Sequence, residues 1–90
     1  MRRDRERQPD ARPYLRVTRR QRQIVSLAAE GLTDKEIAER LSLSVSTVRT
    51  HLERFYAANG LRNKAEAVAS WLRHLESLRR RREATRPKRT

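Results

Sequence analysis

Arg49, Thr50 and Glu53 place a guanidinium, a hydroxyl and a carboxylate three and four residues apart, the spacing of one helix face. Ser46 stands one turn before Arg49, and Thr47 and Arg54 flank the set. No large apolar group interrupts this face, which suits a polar groove better than a protein core. The fork of Arg49 matches O6 and N7 of guanine, and it follows an apolar residue, Val48, that turns the opposite way. Thr50 fits a thymine methyl or a base edge. Glu53 fits a cytosine amine, or it orients Arg49 or Arg54 by an ion pair, the slightly favoured role. Lys35, Ser46, Thr47, Arg54 and Lys64 are donors for phosphate oxygens, although for Arg54 and Lys64 simple solvation serves equally well.

The elements that must hold these groups are legible around them. Thr33 followed by Glu36 predicts a capping box, and Ile37, Ala38 and Leu41 give the short helix behind it one apolar stripe. Ser42-Leu43-Ser44 breaks that pattern, because serines favour caps over helix interiors, and Ser44 is the expected cap of the next helix. From Val45 to Ala58 the apolar positions Val48, Leu52 and Phe55 recur at helical spacing. Two helices joined by a turn of about three or four residues make a helix-turn-helix unit.

Upstream, Thr18 and Gln21 predict a first helix with Ile24, Val25, Leu27 and Ala28 buried, stopped by Gly31. Its Arg19, Arg20 and Arg22 oppose the helix dipole, a placement that suits nearby phosphate, though tolerated surface charge is the commoner cause. Downstream, Asn59-Gly60 ends the third helix and Asn63 with Glu66 opens a fourth. That last helix carries Ala65, Val68, Ala69, Trp71, Leu72, Leu75 and Leu78, more apolar length than a three-helix core needs. The expected fold is therefore all-α, a four-helix helix-turn-helix domain with flexible basic termini.

The order and spacing of these pieces resemble the LuxR/FixJ-type, or GerE-like, helix-turn-helix. The resemblance covers residues 17–69 and rests on Val17-Thr18-Arg19-Arg20-Gln21, Gly31-Leu32-Thr33-Asp34-Lys35-Glu36-Ile37-Ala38, and Leu43-Ser44 with Thr47-Val48-Arg49 and His51. Tyr56, Gly60, Asn63 and Glu66-Ala67-Val68 complete it. Four positions depart from the family pattern: Gln21 for Glu, Ala58 for Lys, Asn59 for Leu and Lys64 for Arg. The resemblance implies a reader of double-stranded DNA, supports Lys35 and Thr47 as phosphate contacts, and gives His51 a packing or phosphate role near the turn. It also implies a homodimer through the fourth helix, with Val68, Trp71, Leu72 and Leu75 at the contact. A core position is the competing assignment for Trp71.

Composition narrows the remaining classes. Ninety residues suit one small domain, residues 17–78, with no room for a receiver or sensor beside it, so a stand-alone reader is expected. The net charge of +12 divides into six basic against three acidic residues in 1–16, ten against seven in 17–78, and seven against one in 79–90. Half the excess thus lies in a C-terminal tail, which strengthens phosphate attraction without choosing sequence and is expected to continue the fourth helix for a turn before fraying. The N-terminal arm, with Pro9 and Pro13, is expected to be disordered or loosely draped, with Tyr14 and Leu15 at the core edge. Cysteine is absent, and His51 and His74 are too few for a metal cage, so no metal or cofactor is expected. Neither a spanning run nor a signal peptide is visible, so a cytoplasmic protein away from membranes is expected. No glycine-rich phosphate loop, activated nucleophile or carboxylate pair supports catalysis.

Three readings of function remain: a sequence-specific dimeric transcriptional regulator reading duplex DNA, an adaptor docking on RNA polymerase, a sigma factor or another regulator through the fourth helix, and a non-specific nucleic-acid coater.

Overall fold

The computed structural model describes residues 15–85. They form four helices and no strand: α1 (Arg19–Ala29), α2 (Asp34–Leu41), α3 (Val45–Asn59) and α4 (Lys64–Thr85). The expectations for Tyr14, for most of the N-terminal arm and for the last five residues lie outside the described part of the chain.

Each helix starts where its cap chemistry dictates. Thr18 Oγ1 accepts from the Gln21 amide at 3.1 Å while Gln21 Oε1 accepts from the Thr18 amide at 2.9 Å. Thr33 and Glu36 repeat the reciprocal pair at 3.1 and 2.8 Å, and these bonds, the backbone one first, hold the Glu36 carboxyl below its ordinary range. Asn63 caps α4 through the Glu66 amide at 2.9 Å. Two of the turns between helices need glycine, Gly31 at φ 99° and Gly60 at φ 66°, both in the region that side chains disfavour. Between α2 and α3 a serine takes that role: Ser42 sits at φ 58°, which reverses the chain and lets the Leu43 amide bond Ala38 O at 2.8 Å. Leu43 then turns back onto the core.

α1 lies between two apolar clusters because its adjacent residues Ile24 and Val25, about 100° apart around the helix, face different neighbours. Ile24 and Ala28 meet Ile37 and Ala38 of α2 and Val48 and Leu52 of α3. Val25 meets Phe55 of α3 and Ala67 and Trp71 of α4. The first cluster fixes the angle between α2 and α3; the second fastens α4. Asn59 adds a polar clasp, donating to Arg16 O at 2.8 Å and Phe55 O at 2.9 Å and accepting from the Arg16 amide at 2.9 Å. The leucine more usual there could not make these bonds, and they seat Leu15 and Val17 against the second cluster.

α4 differs from expectation in register and length. Its inward face is Ala67, Ser70 and Trp71, while Ala65 is exposed and Val68 and Ala69 are half-buried. Small Ala67 and Ser70 let α4 approach α1 closely, and that close approach turns the leucines outward. Trp71 is only 3% exposed, so it belongs to the core and its assignment to a dimer contact is corrected. The helix also runs through Arg79–Arg82 to Thr85, beyond the single turn expected, with Glu76 accepting from Arg79 at 2.8 Å and paired with Arg80 at 3.4 Å.

His74 lies beside Trp71, ring centroids 5.6 Å apart, with its Nδ1 buried and, among the described residues, without a partner. Burial first, then the charges of Arg22 and Arg81, lower its pKa below the ordinary 6.5. A lowered value means that the unfolded chain takes up the proton first. The stability held by neutral His74 is therefore complete above pH 6.5 and drains away as pH falls through the folded value. Melting curves should show Tm declining on acidification from pH 7.5 towards 5, and His74→Leu should flatten that segment. Losses that begin below 4.5 belong instead to Glu36 and Glu76, whose carboxyls are held low.

Candidate nucleic-acid interface

α3 divides into two faces. Val48, Leu52 and Phe55 are buried, and Ser46, Arg49, Thr50, Glu53 and Arg54 are exposed on the other side. The exposed stripe Ser46–Arg49–Thr50–Glu53 follows the steps of three, four and seven that align residues along one helix surface. Its start is a cluster of hydroxyls. Ser44 Oγ accepts from the Thr47 amide at 3.1 Å, donates to Thr47 Oγ1 at 2.8 Å and lies 3.1 Å from Ser46 Oγ. Thr47 Oγ1 thus accepts inside the protein, which leaves its own proton to donate outward. Combined with the partial positive charge of a helix start, this end of α3 favours an anion such as a phosphate.

Arg49 is 65% exposed, and its Nε donates to Asp34 Oδ2 at 3.3 Å. The orienting ion pair expected from Glu53 is therefore made by Asp34, the first residue of α2. The Tyr56 hydroxyl pKa is raised by burial first and then by the charges of Asp34 and Glu53. Lys64 is also drawn to this point. Its Nζ donates to Asp34 Oδ1 at 3.1 Å and to Leu32 O at 3.2 Å, so two of three ammonium donors are used within the protein. As a phosphate contact Lys64 has one donor left. Lys35, next to Asp34 on α2, is exposed, and His51 is half-buried on the flank of α3 away from the Arg49 stripe.

The structure thus brings Arg49 and Lys64 together around one carboxylate, with the Ser46 and Thr47 hydroxyls at the start of the helix that carries Arg49 and Lys35 exposed apart from the pair. Asp34 is a site residue that sequence reasoning misses. Nothing local marks it, since its partners lie 15 and 30 positions away. Among the described residues no group of His, Cys, Asp and Glu is arranged to hold a metal ion, and no helix is long and apolar enough to cross a membrane.

Comparison with known proteins identifies the family of the chain. Residues 16–71 match the family model for bacterial regulatory proteins of the luxR family, GerE. Over 65 residues the chain is 35% identical to a probable HTH-type transcriptional regulator, GfsR, of Streptomyces halstedii, covering 72% of this chain and 27% of that protein. Over 63 residues it is 43% identical to a putative HTH-type transcriptional regulator of Mycobacterium bovis, Mb0914c, covering 70% of this chain and 7% of that protein. Similarity to the transcriptional regulatory protein LiaR of Bacillus subtilis is 34% over 59 residues, 66% of this chain and 28% of LiaR. No solved structure matches the chain. The chain belongs to the luxR family of regulatory proteins, and residues 16–71 are its LuxR-type helix-turn-helix, a DNA-binding domain. It spans only 7% to 28% of the length of these curated relatives.

Proposed function

We propose that the chain binds duplex DNA sequence-specifically in transcriptional regulation, laying the exposed face of α3 in the major groove as one half of a symmetric dimer. The observation that carries this reading is the 65% exposed Arg49, tethered to Asp34 by Nε on a helix that the core cluster fixes. Arg49 reads guanine, Thr50 and Glu53 reach neighbouring bases, and Lys35, Ser46, Thr47, His51 and Arg54 position the backbone, with Lys64 a minor contributor. Such a protein works in the bacterial cytoplasm, at the nucleoid.

Leu72 and Leu75 of α4 are 50% and 42% exposed, and Leu78 is exposed beside them. With half-buried Val68 they form the surface for pairing two copies, Trp71 having been withdrawn into the core. A two-fold dimer presents its recognition helices to half-sites about one helical turn apart, roughly 34 Å. The same leucines support a second reading, in which α4 docks on RNA polymerase, a sigma factor or another regulator. Selection of binders from a random duplex library separates the two. An inverted repeat is the expected product; the absence of any motif would reject direct readout and favour the docking role.

A further inference from the structure

Asp34 opens α2, where the helix dipole favours an acid. Its side chain is only 24% exposed and stands beside Arg49, where phosphate oxygens would approach if α3 entered the groove. A carboxylate there repels DNA, and its two oxygens are nonetheless held by separate cations from separate helices, Arg49 Nε of α3 and Lys64 Nζ of α4. Lys64 is itself fixed by Leu32 O at 3.2 Å, so the carboxylate is anchored on one side before it meets Arg49 on the other. Among the described residues the terminal Nη atoms of Arg49 carry no hydrogen bond. With Nε taken, those two nitrogens are the pair left to face O6 and N7 of a guanine end-on.

We infer that Asp34 is a positioning residue for base recognition, aiming the Nη pair of Arg49 at one guanine while its negative charge weakens attraction to phosphate in general. This rests on the reading of Arg49 as a base contact. A long exposed arginine otherwise samples many rotamers, and ordering it only on binding costs affinity for the correct base. Untethered, it also serves any nearby phosphate, which raises binding to every sequence alike. Asp34 suppresses both, and so exchanges overall affinity for discrimination.

The test uses the full chain at fixed salt, the variants Asp34→Asn, Asp34→Ala and Arg49→Ala, and Asp34→Glu as the conservative control. Dissociation constants are measured for the selected duplex, for its three single-base variants at the pair that Arg49 reads, for variants at other pairs, and for a scrambled duplex. Arg49→Ala should lose a preference of roughly 5- to 150-fold at one pair. Both Asp34 variants should lose most of the preference at that same pair and keep it elsewhere, while binding the scrambled duplex a few-fold more tightly. Asp34→Glu should restore part of the preference. Thermal melts establish that each variant is folded, and Asp34→Asn, nearly isosteric, serves if Asp34→Ala is not. A loss spread evenly over all pairs would mark a merely structural role and overturn the inference. Full discrimination by folded Asp34→Asn, where Arg49→Ala has lost it, would overturn it and leave the reading of Arg49 standing. No loss at any pair in Arg49→Ala would overturn both.

Discussion

Phe55→Ala is expected to cost about 3–5 kcal/mol of folding stability, the largest effect of any single substitution considered. The ring is fully buried in the cluster where α1, α3 and α4 meet, and it touches the residues through which α4 is fastened. Truncation removes transfer free energy and leaves a cavity between packed helices that relax only partly into it. For a domain of this size each kcal/mol shifts Tm by roughly 4–8 °C, so a fall of at least about 12 °C should appear in a calorimetric or circular-dichroism melt. Total stabilities of roughly 5–10 kcal/mol are usual at this length, and part of the variant would be unfolded at 37 °C. A shift of only a few degrees would mean that the second cluster is not the fastening of α4. DNA binding should fall with the folded fraction alone, because Phe55 faces away from the exposed stripe.

The second large effect is on assembly. Leu72→Gln with Leu75→Gln should lower affinity for an inverted repeat by roughly 100-fold or more, since each half-site then has to be bound without the effective concentration that pairing provides. Both residues are exposed, so the melt should stay within about 0.5 kcal/mol of the parent. Glutamine is neutral, which leaves phosphate attraction untouched. Affinity for a single half-site should therefore be unchanged. Equal loss on half-site and full site would place these leucines outside any contact between copies.

The parts of this fold that were legible in the sequence are those set by local chemistry. The capping pairs Thr18–Gln21 and Thr33–Glu36, the Ser44 and Asn63 caps and the stops at Gly31 and Gly60 involve residues within a few positions of one another, and each stands where its residue types place it. The α3 stripe was equally plain, because Val48, Leu52 and Phe55 are its only large buried groups and they define the opposite face. The register of α4 was not. Apolar residues lie nearly all round that helix, and periodicity weighted by size picks the leucines, whereas close packing picks Ala67 and Ser70. The burial of Trp71 follows from the same cause. Asp34 is invisible as a partner of Arg49 for a different reason: a pairing between the starts of α2 and α4 and the second turn of α3 exists only once the first cluster has set their angles. The left-handed Ser42 was likewise unmarked, since serine there signals a cap rather than a positive φ.

Whether α3 reads bases through Arg49 is decided by one comparison. The selected duplex and its single-base variants are titrated with the parent chain and with Arg49→Ala at the same salt concentration. The expected result is a loss of about 1–3 kcal/mol of discrimination confined to one base pair, with little change on scrambled DNA. An equal loss on every sequence would contradict it, reducing Arg49 to one more phosphate contact.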